Sequence, residues 1–197
     1  MSMDYKRIFW GIFIATFRLT IGIITLLPAF VGWILVLTAL SDFKENSSEG
    51  DSAGIKTGAI LLVLASLGGD VISFLAGGNF KTLHIMLFYP LFVIVIELVV
   101  FHKILEVSVC NFNEMDHQEI VDKYIGKDRT YIILMGISIV LLAISLTTNH
   151  QIIGVIGAVI TIISRIYLMT VINSLSKENL NRDDKEDYSS DKYKIST

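Results

Sequence analysis

One cysteine, two prolines and a low share of charge set the first limits on this chain. With Cys110 alone there can be no intrachain disulfide and no cysteine metal cluster, and the thiol is read as inert. Charged residues make up only 18% of the 197 and hydrophobic residues 53%, with a mean hydropathy of +0.64, which is too apolar for an ordinary water-soluble domain of this length. The net charge of -3 is small and says little about partners. A basic patch for nucleic acid is missing, because the C-terminal stretch alternates Lys with Asp. The runs LGGD and AGGN have neither the spacing of a phosphate loop nor a following Lys-Ser/Thr. His102 and Glu106 stand four residues apart, with His117 and Glu119 further on, but no His-Glu-x-x-His and no third ligand at fixed spacing accompany them, so no metal is expected. No serine or cysteine sits in a nucleophile motif; Ser66 or Ser73 with the distant His84 is the one arrangement left open. No catalytic residue and no cofactor can be named.

What the chain has is long apolar runs. From Ile8 to Leu40 the only charge is Arg18 and the only proline Pro28. At about 1.5 Å per residue a straight helix of that length reaches about 50 Å, against a bilayer core of about 30 Å, so the run must turn. TLLPAFVG supplies the break, since proline lacks an N–H and suits the first turn of a new helix. Lys6 and Arg7 ahead of the run resemble the start of a signal peptide, but the run extends far beyond a signal's apolar region, so the segment is expected to be retained.

The expected architecture is all-α: a polytopic membrane bundle of six transmembrane helices, at residues 5–24, 28–43, 58–77, 83–101, 130–147 and 152–175. The fourth is expected to emerge or bend into an amphipathic surface segment reaching 125. Residues 1–176 then form one membrane domain, and 177–197, highly charged and almost free of large aliphatics, a disordered tail. Both termini are assigned to the cytoplasm of a cell-membrane protein. Twelve of the sixteen Lys and Arg then lie inside, Lys81 alone outside, and Arg18, Lys103 and Arg165 within or at the ends of helices. A five-helix rival, with residues 5–43 as one overlong helix, misplaces Lys6, Arg7 and Lys81. A re-entrant first hairpin would leave every later loop on the same side, so that choice stays open.

Phe9, Trp10 and Gly11, followed by Leu27, Pro28, Phe30 and Gly32, carry a resemblance. The chain resembles a family of uncharacterised small multi-pass membrane proteins of Gram-positive bacteria, whose N-terminal hairpin has a Phe-Trp-Gly start and a Leu-Pro-x-Phe-x-Gly turn. The resemblance implies a six-helix architecture and no activity. Acidic residues are common in that family at the positions of Arg18 and Ala29, where this chain departs from it.

Four charges fall inside the expected spans, each costing about 2.5–3.5 kcal/mol at the bilayer centre unless paired or hydrated. Depth along the helices pairs Arg18 with Asp70 in the outer half and Glu97 with Arg165 in the inner half. Such pairs either set helix register or line a polar pathway. Ala65, Gly69, Ser73 and Gly77 recur every fourth residue, and Gly154 with Ala158 repeats the pattern on the last helix, with Gly157 and Thr161 beside it. These stripes suit close helix packing within the bundle or between copies. The reading preferred from sequence is a non-enzymatic accessory or regulatory protein acting through membrane partners or as a homo-oligomer. The alternative is a small transporter or channel using Asp70 and Glu97, marked by carboxylates that face a common water-filled cavity and not an arginine.

Overall fold

The computed structural model describes residues 4–17, 20–21, 24–25, 28–41, 49–75, 84–113 and 118–194, with side chains described over 4–17, 28–40, 53–71, 88–110 and 118–178. Six helices dominate: α1 (Tyr5–Thr16), α2 (Ala29–Ser41), α3 (Glu49–Leu75), α4 (His84–Asn113), α5 (Gln118–Thr148) and α6 (Gln151–Lys194). Between α1 and α2 two short strands, β1 (Thr20–Ile21) and β2 (Ile24–Thr25), pair antiparallel with Thr20 opposite Thr25. Among the described residues, three helices contain stretches long and apolar enough to cross a membrane: Ala53–Val71 in α3, Gln118–Thr148, and Gln151–Glu178 in α6.

Several boundaries differ from expectation, each for a local reason. The first helix stops at Thr16, not near residue 24. Beyond it lie Thr20, Ile21, Ile23, Ile24 and Thr25, β-branched residues flanking Gly22, which favour a tight hairpin over a continued helix. Its start is secured by Asp4, whose carboxylate accepts from the Arg7 backbone N–H at 3.0 Å. Pro28 lies just before α2, and its carbonyl accepts from the Val31 N–H in the first turn. α3 begins at Glu49, well ahead of residue 58, with Glu49 and Asp51 placed where the helix dipole favours negative charge. The surface segment expected to carry α4 on to residue 125 is divided between two helices: residues 102–113 continue α4, which closes with Asn111 and Asn113, poor helix formers, and residues 118–125 open α5. α6 continues through Lys194, past the boundary at 177 where a disordered tail is expected; extending an existing helix avoids the cost of nucleating one.

Each helix packs chiefly on its neighbours in sequence, and α1 closes the arrangement by packing on α6. Burial is uneven along the bundle. α5 buries Val121, Tyr124, Tyr131, Met135 and Ser138 and nothing after them. α6 is buried at Leu168, Ile172 and Leu175 but exposes Ile152 by 78% and Val155 by 63%. One end therefore packs like a soluble core, while the other turns apolar side chains outward, as a lipid-facing surface does.

Candidate functional site

The structure brings Glu97 of α4 and Arg165 of α6 together. Arg165 Nε donates to Glu97 Oε1 at 2.8 Å and Nη2 to Oε2, a bidentate fork. Glu97 is 0% exposed and the Arg165 side chain 17%. Both oxygens of the carboxylate are committed, and the pair is electrically neutral as seen from outside. The Tyr131 hydroxyl on α5 is also fully buried and has no hydrogen-bond partner among the described residues.

Arg18 lies outside the described residues, while Asp70 is half-buried on α3. Of the small-residue stripe on α3, the Ser73 side chain and Gly77 also fall outside them. Ala65 and Gly69 meet α4 through one aromatic: Tyr89 donates its hydroxyl to the Ala65 carbonyl, and a Cβ on Gly69 would stand 2.5 Å from the Tyr89 oxygen. On α6, Gly154 faces Ser145 of α5 and Gly157 faces Leu142, whereas Ala158 is exposed. The Ser138 hydroxyl donates to the Gly157 carbonyl at 2.8 Å and meets Thr161, tying α5 to α6 by hydrogen bonds as well as by close approach.

Sequence reasoning missed the tightest helix contact. A Cβ on Gly32 would lie 2.4 Å from the Gly11 carbonyl oxygen, and one on Gly11 would lie 2.6 Å from the Gly32 carbonyl. These two glycines let α1 and α2 touch backbone to backbone. The signal was present in the Phe-Trp-Gly and Leu-Pro-x-Phe-x-Gly motifs, where both glycines appear without a role. Gly58 was likewise overlooked: it makes room for Val100 of α4.

Beside the Glu97–Arg165 pair lies a cavity of about 390 Å³ to which all six helices contribute: Ala15 from α1, Ala29 and Trp33 from α2, Ser66 from α3, Tyr89, Pro90, Val93 and Ile94 from α4, Leu142 from α5, and Ala158, Thr161, Ile162 and Arg165 from α6. Its wall is mostly apolar, with Ser66, Tyr89, Thr161 and Arg165 as the polar contributors.

A second polar group gathers at the tightly packed end, on the charged stretch of α5 that precedes its apolar part from Thr130 onward. Tyr124 bonds Ser174 at 2.8 Å, the Lys127 ammonium stands 4.3 Å over the Tyr124 ring, Lys123 pairs with Glu178 at 2.8 Å, and His102 meets Asp128 at 2.9 Å. Burial pushes the Tyr124 phenol up to about 12. It lowers Lys127, helped by the neighbouring Lys123, and raises Asp128 against the opposing pull of His102.

Comparison with protein-family models, with curated proteins and with solved structures finds no match for this chain.

Proposed function

We propose that this chain is an integral multi-pass membrane protein of the cell membrane, with six helices crossing the bilayer and both termini cytoplasmic, acting as a non-enzymatic accessory or regulatory subunit through membrane partners. The observation that carries the functional part is the closed Glu97–Arg165 fork. A transporter or channel built on Asp70 and Glu97 needs its carboxylates on a common aqueous route, and Glu97 has both oxygens on a guanidinium and no exposure. The Gly11–Gly32 contact gives the N-terminal hairpin a packing role.

The topology rests on the span lengths and the distribution of positive charge. α1 and α2 have 12 and 13 residues, about 18 and 20 Å at the helical rise. Single cysteines in a Cys110→Ala background test it in intact cells with an impermeant thiol reagent. Reaction at positions 22, 79 and 150 with protection at 47 and 181 is expected; the reverse pattern defeats the orientation, and protection at 22 alone turns the first hairpin into a re-entrant one. For function, Glu97→Cys is exposed to a small water-soluble thiol reagent in intact membranes. Protection supports the accessory reading, and labelling would hand the case to transport.

A further inference from the structure

The cavity shared by all six helices offers hydrogen-bond donors that the protein itself does not use. Glu97 takes the Arg165 Nε hydrogen and one Nη2 hydrogen, leaving the two Nη1 hydrogens and the second Nη2 hydrogen without an acceptor among the described residues. Ser66, which lines the same cavity, is 3% exposed, and its hydroxyl has no partner among the described residues. A helical serine ordinarily returns its hydroxyl to a carbonyl one turn back, as Ser108 does to Ile104 and Ser164 to Ile160. A buried hydroxyl that forgoes this bond is expected to meet an acceptor elsewhere. Around these donors the wall is apolar, with Trp33, Val93, Leu142 and Ala29 among its residues.

We infer that this cavity binds a neutral lipophilic molecule through a carbonyl oxygen, held by Arg165 and Ser66 with its apolar body against Trp33. The volume of about 390 Å³ lies within the range of small-molecule sites, about 300–1,000 Å³. Charge decides the class of head group. Because Glu97 neutralises Arg165, an anion gains no net attraction and meets a buried carboxylate nearby, while a cation would face N–H donors. A neutral acceptor satisfies the donors without adding charge to a low-dielectric interior. Pro90, Ala158 and Ile162 at the rim are exposed, so the cavity communicates with the apolar outside of the bundle. This inference goes beyond the accessory role; it needs the helices to enclose the cavity and is independent of which way the termini face.

Two carbonyl sources fit this chemistry, a free lipophilic quinone and the ester of a glycerolipid, and one experiment separates them. The chain has two tryptophans, Trp33 on the cavity wall at 3% exposure and Trp10 on α1 at 49%, so Trp10→Phe leaves Trp33 as the only tryptophan reporter. The full-length variant, purified in a neutral detergent, is titrated in one arm with decyl-benzoquinone and in the other with a diacylglycerol carrying brominated acyl chains, both of which quench tryptophan on contact. Saturable quenching is expected in at least one arm, and the arm that saturates names the source. Ser66→Leu should abolish the saturable part by filling the cavity. Ser66→Ala, which leaves the packing intact and removes one hydrogen bond, should weaken it roughly fivefold. Linear, partition-like quenching in both arms overturns the inference, as does saturable quenching that Ser66→Ala and every folded Ser66→Leu preparation leave unchanged.

Discussion

The two polar regions of this bundle solve the same problem under different constraints. At the tightly packed end, Tyr124, Ser174, Lys127, Lys123 and Glu178 form a spread network whose lysines are partly in contact with solvent. Glu97 has one side-chain partner among the described residues and no exposed surface of its own. In the first region, losing a contact exposes a group that can turn to water or to another neighbour. In the second, losing a partner strands a full charge in an apolar interior, which costs far more than the contact was worth. The lesson is that burial, not the number of polar contacts, sets how much a polar residue matters here.

Mutations can break or sharpen that contrast, beginning with the largest effect. Glu97→Gln should lower the stability of the purified protein by about 3–5 kcal/mol, read from thermal unfolding in detergent, because Arg165 keeps its charge without its counter-ion. The double exchange Glu97→Arg with Arg165→Glu should recover part of the folded yield lost by either single exchange; no recovery would mean that the surroundings, not the pair, fix those side chains. Gly32→Ala separates charge from close packing: with 2.4 Å between its Cβ and the Gly11 carbonyl, α1 and α2 must move apart, at about 1–3 kcal/mol in the same assay. Tyr124→Phe removes the bond to Ser174 while keeping the ring under Lys127, and should cost about 1 kcal/mol. Lys123→Ala breaks an ion pair whose lysine side chain is 52% exposed, and its unfolding curve should shift by less than about 0.5 kcal/mol. If Lys123→Ala and Glu97→Gln proved equally damaging, the contrast between the two regions would be lost.

Some of this architecture is legible in the sequence. The helical segments follow from apolar runs and turn residues, and the Glu97–Arg165 pairing follows from two opposite charges placed at similar depth on separate runs. Other features were not. The end of α1 at Thr16 was hidden because the apolar run continues past it to residue 27 with Arg18 as its only charge; the β-branched residues flanking Gly22 are what distinguish hairpin from helix. The break between α4 and α5 was misplaced because residues 102–125 keep a helical pattern on both sides of 114–117. The stripe on α3 is expected to admit close helix packing, but which group comes close is not written in it: at Ala65 and Gly69 it is the Tyr89 side chain of α4, since a row of small residues states only that something approaches.

By itself, the sequence determined that the chain is helical and strongly apolar, which stretches form the apolar parts of its long helices, and which few charges must be accommodated among them, because these depend on properties read along one dimension. Only the tertiary structure decided that Gly11 meets Gly32, that Ser66 and Arg165 share a cavity with Trp33, and that Ala158 faces outward while Gly157 packs inward. Those outcomes depend on how far each helix is rotated about its own axis. That rotation is set jointly by the side chains of all six helices fitting together, not by any one of them alone.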